Sequence, residues 1–214
     1  MSITKLLIAN RGEIAIRVQR AAAALDIPTV AIYSEDDAQS LHVFRADKAH
    51  SLAGVGAQSY LDIDLVIAAA KATGCDGVHP GYGFLSENAA FARACEDAGL
   101  CFVGPSPDVL EKLGDKVKAR NLAAQAGIPV LSGSMEAVDL AGAQAFRDEL
   151  QGGALIIKAV SGGGGRGVRV VGAGDDLEAA VTRAASEAAA AFGDGSLYVE
   201  RYLPRARHIE VQII

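Results

Sequence analysis

An open parallel α/β sheet followed by a smaller α+β segment is the architecture this 214-residue sequence predicts, on three observations. Short apolar runs alternate regularly with helical patterns through the first hundred residues. The order of elements changes after the string Gly104-Pro105-Ser106-Pro107. Half of the residues are hydrophobic, yet only 5% are aromatic and 24 are glycine, which suits helices packed closely on a sheet better than a β-sandwich.

The first region reads as strand Leu6 to Ala9, helix Glu13 to Leu25, strand Thr29 to Tyr33, helix Ile63 to Ala72, strand Gly77 to His79, helix Glu87 to Ala98 and strand Cys101 to Val103. Parallel strands need crossover helices, and an open sheet of this kind holds its ligand crevice beyond the carboxyl ends of the strands. The prolines after Gly104 mark a connector, followed by a helical stretch from Asp115 to Ala126 that stops at Gly127-Ile128-Pro129. Beyond it come helix Leu140 to Leu150, strand Ala154 to Val160, a glycine loop, strand Val168 to Val171, an alanine-rich helix Leu177 to Ala191, and strands Leu197 to Tyr202 and His208 to Ile214. Strand, loop, strand describes an antiparallel hairpin. The expected division is a first domain over 1–113, a connector helix over 114–130 and an α+β segment over 131–214. The sequence ends inside a β-branched run, so a truncated second domain is expected.

A net charge of −6 with scattered Lys and Arg speaks against nucleic acid as a partner, and no apolar run approaches the ~18 residues needed to cross a bilayer. No signal peptide is read at the start. Cys75, Cys95 and Cys101 are odd in number and lack CxxC spacing, so they are expected to be small core residues of a cytoplasmic protein. His42 and His50 have no partner pattern and are expected on the surface. His208 and Glu210 at i, i+2 share one face of a strand, as a site or as an ordinary exposed pair.

The sharpest chemical feature is Lys158-Ala159-Val160-Ser161 followed by four glycines, Arg166 and Gly167. Such a run is entropically costly in an ordered element, so it marks a place where the backbone takes positive φ or closes its amides on a ligand such as phosphate. A dinucleotide-binding reading fails because Val168 to Val171 is strand-like where a helix is required, and a P-loop reading fails because Val168-Arg169 follows in place of Lys-Ser/Thr. A flexible hairpin flap remains, with Lys158 at the end of the incoming strand. Lys116, in Asp115-Lys116-Val117-Lys118, can reach a nucleotide phosphate or be an exposed first-turn lysine. Glu200-Arg201-Tyr202-Leu203 ends a strand before Pro204, which leaves main-chain groups for a planar base or simply ends the strand. In the first domain, Ala9 to Glu13 and His79 to Asn88 lie at strand-to-helix turns, with Ser86 a candidate helix cap.

Together, Ile8-Ala9-Asn10-Arg11-Gly12-Glu13-Ile14-Ala15, His79-Pro80-Gly81-Tyr82-Gly83-Phe84-Leu85-Ser86-Glu87-Asn88, Gly114-Asp115-Lys116, the Lys158 to Gly167 loop and Arg207-His208-Ile209-Glu210-Val211-Gln212 closely resemble biotin carboxylase. This is the ATP-grasp component of biotin-dependent acyl-CoA and pyruvate carboxylases. The resemblance covers essentially the whole sequence. It implies a Rossmann-like pre-ATP-grasp domain followed by a truncated ATP-grasp domain. It also implies that Lys116 and Lys158 contact ATP phosphates, that Gly163, Gly164 and Gly165 fold over them, that adenine lies against Glu200, Arg201, Tyr202 and Leu203, and that His208 lines the pocket. One departure is Val160-Ser161 where the family commonly has Ser-Gly.

The family's reaction makes carboxyphosphate from bicarbonate and ATP and transfers the carboxyl group to biotin. By the resemblance, Mg2+ ligands and the bicarbonate- and biotin-handling residues lie C-terminal to these 214 residues, so no complete catalytic set or metal site is expected here and the chain alone is expected to be inactive. Biotin is expected on a separate carrier domain or chain, because neither Met1 nor Met135 adjoins a lysine. A carboxyltransferase component is the further partner, and a homodimer is implied, with Arg17 and Arg20 either in that contact or simply solvated. The competing readings are another ATP-grasp ligase, of carbamoyl-phosphate or purine-carboxylating type, and a noncatalytic assembly module.

Overall fold

The computed structural model describes residues 2–161, 167–209 and 211 and separates into two compact units, 1–111 and 112–214. In the first, the elements are β1 (Leu6–Ile8), α1 (Gly12–Ala23), β2 (Thr29–Tyr33), α2 (Leu41–Arg45), β3 (Lys48–Ser51), α3 (Ile63–Thr73), β4 (Gly77–His79), α4 (Ala89–Asp97) and β5 (Cys101–Phe102). All five strands are parallel in the order β3-β2-β1-β4-β5. The expected open α/β sheet is therefore present, with β3 and α2 added in a stretch the sequence reading left unassigned. Lys48-Ala49-His50-Ser51 lacks the apolar character of a central strand because, among the described residues, it lies at the sheet edge, paired with β2.

Alternation along β1 divides the core. Leu7 and Ala9 pack with Val66, Ala69, Ala70, Phe91 and Cys95 of α3 and α4, whereas Leu6 and Ile8 pack with Ala15, Val18 and Ala22 of α1. Helices thus cover both faces, and the chain reverses its direction of winding between β1 and β4. The carboxyl ends of those two strands, at Asn10 and His79, flank the switch point.

Three local expectations are corrected. His42 is fully buried: its Nε2 lies 3.3 Å from the Ile32 carbonyl, and its own carbonyl accepts from Gln19 Nε2 at 2.7 Å, which ties α2 down on α1. His50 is half-buried in β3. The cap of α4 is Asn88, accepting from Phe91 N at 3.0 Å, because Phe84 to Glu87 forms a turn and the helix begins only at Ala89. Cys75 and Cys95 are buried, Cys101 is half-buried, and all three are free.

Helix α5 (Pro107–Gly114) runs across the boundary between the units, and Pro107, expected to break structure, instead opens it. The second unit continues with α6 (Lys116–Gln125), α7 (Leu140–Glu149), β6 (Leu155–Ala159), β7 (Val168–Val171), α8 (Leu177–Phe192) and β8 (Leu197–Arg201). The sheet is antiparallel in the order β7-β6-β8. Leu155, Ile157 and Ala159 of β6 face α7 and α8 and pack with Phe146, Ala184, Ala188 and Val199. The strand expected over His208 to Ile214 is not found among the described residues: His208, Ile209 and Val211 are exposed and outside any strand. Glu210 and Gln212 to Ile214, the rest of that expected strand, lie outside the described residues. Among the described residues no helix is long and apolar enough to cross a membrane.

Candidate functional site

In the second unit the pleat gives the sheet two unlike faces. The face opposite α7 and α8 carries Ile156 and Lys158 of β6, Val168 and Val170 of β7, and Tyr198 and Glu200 of β8, since the register places Ile156 opposite Val170 and Glu200, and Lys158 opposite Val168 and Tyr198. Val168 and Val170 are 39% and 48% exposed, high for valines in a sheet. Lys158 Nζ donates to Glu200 Oε2 at 2.5 Å and lies 5.9 Å from the Tyr198 ring centroid. Burial, reinforced by the Glu200 charge, pushes the Tyr198 phenol up to about 12, so it stays neutral.

Glu200 is 5% exposed and is held on its second oxygen by Arg120 of α6. Arg120 also donates to the Leu131 carbonyl at 2.6 Å. The strand-like stretch around Gly133 runs beside β8, bridging Glu200, with Ser134 N bonded to Val199 O at 2.8 Å. Gly133 is required there, because a Cβ would stand 2.7 Å from Val199 O and 2.8 Å from Arg120 Nη2.

Of the residues singled out from the sequence, Lys158 and Glu200 are brought into direct contact, and Arg201, Tyr202 and Leu203 continue the same strand end. The amides of Arg201 and Tyr202 donate to Ser132 O at 2.9 Å and Ala154 O at 3.1 Å, so those two donors are engaged within the sheet rather than left for a base. Leu203 is 44% exposed. Lys116 opens α6, capped by Asp115, which accepts from Val117 N and Lys118 N. His208 is exposed outside any strand. Gly163, Gly164 and Gly165 lie outside the described residues. The positive φ of Gly167, with its absent Cβ facing Ala159 and Ala188, sets the backbone where the outgoing strand leaves that loop.

The sequence reading missed Arg120, Tyr198, Ile156, Val168 and Val170. Arg120 stands four residues after Lys116, one helical turn on, which is a signal only when the helix is known to pack on Glu200. The two valines and Ile156 follow from strand alternation once Lys158 is assigned to the open face.

The first unit holds a separate constellation at its switch point. Asn10 Nδ2 donates to the carbonyls of Pro80 and Tyr82 at 2.7 and 2.8 Å. Arg11 pairs with Asp37 at 2.9 Å, with its guanidinium carbon 5.5 and 5.7 Å from the stacked rings of Tyr60 and Phe84. Arg11, Tyr60 and Ser40 hold the Asp37 carboxyl below its usual range against the opposing effect of burial. Tyr82 is exposed and its hydroxyl bonds to Glu13. Burial depresses the His79 imidazole, whose Nδ1 accepts from Gly81 N at 3.0 Å, which leaves the proton of the neutral ring on Nε2. Among the described residues no group of three or more His, Cys, Asp or Glu is placed to hold a metal ion.

The sequence profile of the biotin carboxylase N-terminal domain matches residues 2–110, and that of the carbamoyl-phosphate synthase L chain ATP-binding domain matches residues 115–214. The chain is 53% identical to the mitochondrial pyruvate carboxylase of Rattus norvegicus over 216 aligned residues, which cover 99% of this chain and 18% of that protein. It is 51% identical to the pyruvate carboxylase of Staphylococcus aureus, with 99% and 19% covered. Among solved structures, the biotin carboxylase of Campylobacter jejuni in complex with β,γ-ATP superposes with a TM-score of 0.90 at 41% identity over 94% of this chain and 46% of that one. The biotin carboxylase domain dimer of Hydrogenobacter thermophilus 2-oxoglutarate carboxylase, in complex with MgADP, ADP and bicarbonate, gives 0.89 at 40% identity over 95% and 45%. The chain therefore spans about a fifth of the curated relatives and less than half of the biotin carboxylase chains. On a profile match to its first half and similarity along nearly its whole length, it belongs to the biotin carboxylase family.

Proposed function

We propose that this chain supplies the N-terminal domain and part of the nucleotide site of a biotin carboxylase, which forms carboxyphosphate from bicarbonate and ATP and carboxylates biotin on a carrier domain. The observation that carries the reading is the open face of the β7-β6-β8 sheet. Exposed apolar Val168 and Val170 adjoin Ile156 and form a platform suited to a flat base, and Lys158 stands beside it at the mouth of a glycine loop. Such a surface fits ATP: apolar area for the ring and a cation for the phosphates, beside a glycine-rich stretch of sequence. ATP supplies the activation of bicarbonate. Lys158 neutralises charge on the phosphoryl group being transferred and needs no covalent step of its own. Lys116 is proposed as a second phosphate contact, Glu200 to Leu203 as the border of the base, and His208 as part of the pocket wall.

The relatives named pyruvate carboxylase and 2-oxoglutarate carboxylase support a 2-oxo acid as the eventual carboxyl acceptor. A biotin carrier, a carboxyltransferase component and a homodimer are the proposed partners. The proposed setting is the cytoplasm, which the three free thiols support as a reducing compartment. Another ATP-grasp ligase is the weaker reading, because it accounts for the second unit but not for the match over residues 2–110. Bicarbonate-dependent release of ADP by the intact protein in the presence of biotin tests the proposal. Wild type is expected to turn over and Lys158→Met to lose at least about tenfold in ATP affinity; turnover indifferent to bicarbonate would refute the reading.

A further inference from the structure

Resting on the nucleotide site proposed above, we infer that Arg120 is a positioning residue: by taking one oxygen of Glu200, it leaves Lys158 with net positive charge to meet phosphate. Glu200 is almost completely buried, and a carboxylate in that position demands a cation. Its two oxygens are divided between Arg120 on Oε1 and Lys158 on Oε2. One anion against two cations leaves a single positive charge on the group, and the more exposed cation is Lys158, with 29% of its side chain accessible against 12% for Arg120. Without Arg120, the pair Lys158–Glu200 is neutral, and an approaching phosphate meets a lysine whose charge is already spent.

The surroundings fix Arg120 for this task. Its second terminal nitrogen is bound to the Leu131 carbonyl, and Gly133 leaves the space its guanidinium occupies between α6 and β8. Helix α6 begins with Lys116, so the element carrying one proposed phosphate contact also anchors the carboxylate that governs the other. Asn121 fastens the same helix to the Met135 carbonyl at 3.1 Å.

The test is an NMR titration of the intact protein with ADP and with adenosine, comparing wild type, Arg120→Lys, Arg120→Met, Glu200→Gln and the double variant Arg120→Met/Glu200→Gln. The readout is the ratio of the two dissociation constants, which isolates what the phosphates contribute. Arg120→Met is expected to cut that phosphate contribution by about tenfold while adenosine binding changes little, the effect of one unit charge under nearly water-like screening. Arg120→Lys is expected to retain most of it, and the double variant to recover it to within about threefold, because removing the carboxylate frees Lys158 again. If Arg120 only tethers the 131–134 stretch, the double variant stays as weak as Arg120→Met and adenosine weakens in parallel, and the inference falls. If Arg120→Met fails to fold, Glu200→Gln decides alone: a ratio equal to or above wild type supports the role, and a reduced one overturns it. Wild type that binds neither ligand defeats the nucleotide site itself, whereas wild type that binds beside an Arg120→Met of equal ratio defeats only the role of Arg120.

Discussion

Lys158 and Glu200 are diagonal cross-strand neighbours on β6 and β8, with Nζ and Oε2 2.5 Å apart. Because Arg120 also holds Glu200, loss of the lysine does not strand a buried charge. Lys158→Met is therefore expected to change unfolding free energy by less than about 1 kcal/mol, in the range of a partly exposed ion pair, while it weakens ATP strongly. Paired denaturant melts and calorimetric titrations check this, and a large loss of stability would assign Lys158 a structural role instead.

At the switch point of the parallel sheet, Asn10 satisfies two carbonyls of the 80–82 turn, and Gly81 (φ +66°) would place a Cβ 2.9 Å from Asn10 Nδ2. Asn10→Ala is expected to cost about 2 kcal/mol through unpaired polar groups, and Gly81→Ala about 1–2 kcal/mol through strain in the left-handed region. The two act on one turn, so the double variant should lose less than the sum. Urea midpoints of the three variants measure it.

His42 is buried without a partner for Nδ1 among the described residues, and burial pushes its imidazole below the usual range. Nearby Asp37 opposes that shift and Arg11 adds to it. The folded state then binds the proton less readily than the unfolded chain, so stability is intact above the unfolded value of roughly 6.5 and falls as pH drops below it. The slope is at most about 1.4 kcal/mol per pH unit for this group. His79, also depressed by burial, adds to the same trend. His42→Gln should flatten the profile below about pH 6.5; an unchanged slope would show that other groups carry it.

Spanning less than half of the biotin carboxylase chains it resembles, the 214-residue polypeptide by itself is expected to give no bicarbonate-dependent ATP cleavage with free biotin. A coupled ADP-release assay reads this directly, and robust turnover would contradict it.

The parallel sheet was legible because the apolar runs of β1, β2 and β4 are buried and flanked by amphipathic helices. Edge strand β3 was not, since Lys48 and His50 carry no such pattern, and the burial of His42 depends on α2 folding back over α1, a tertiary event without a local signature. Lys158 was readable from the glycines after it. Arg120 was not, because its meaning lies in a partner 80 residues away. The strand expected from His208 onward lies for the most part outside the described residues.

Methyl-resolved NMR of the intact protein titrated with ATP tests the nucleotide platform most directly. The methyl signals of Ile156, Val168 and Val170 should move, while those of Ile8 and Val66, in the core of the first unit, stay in place. Saturable ATP binding that leaves the three platform methyls unmoved would contradict the assignment of this sheet face.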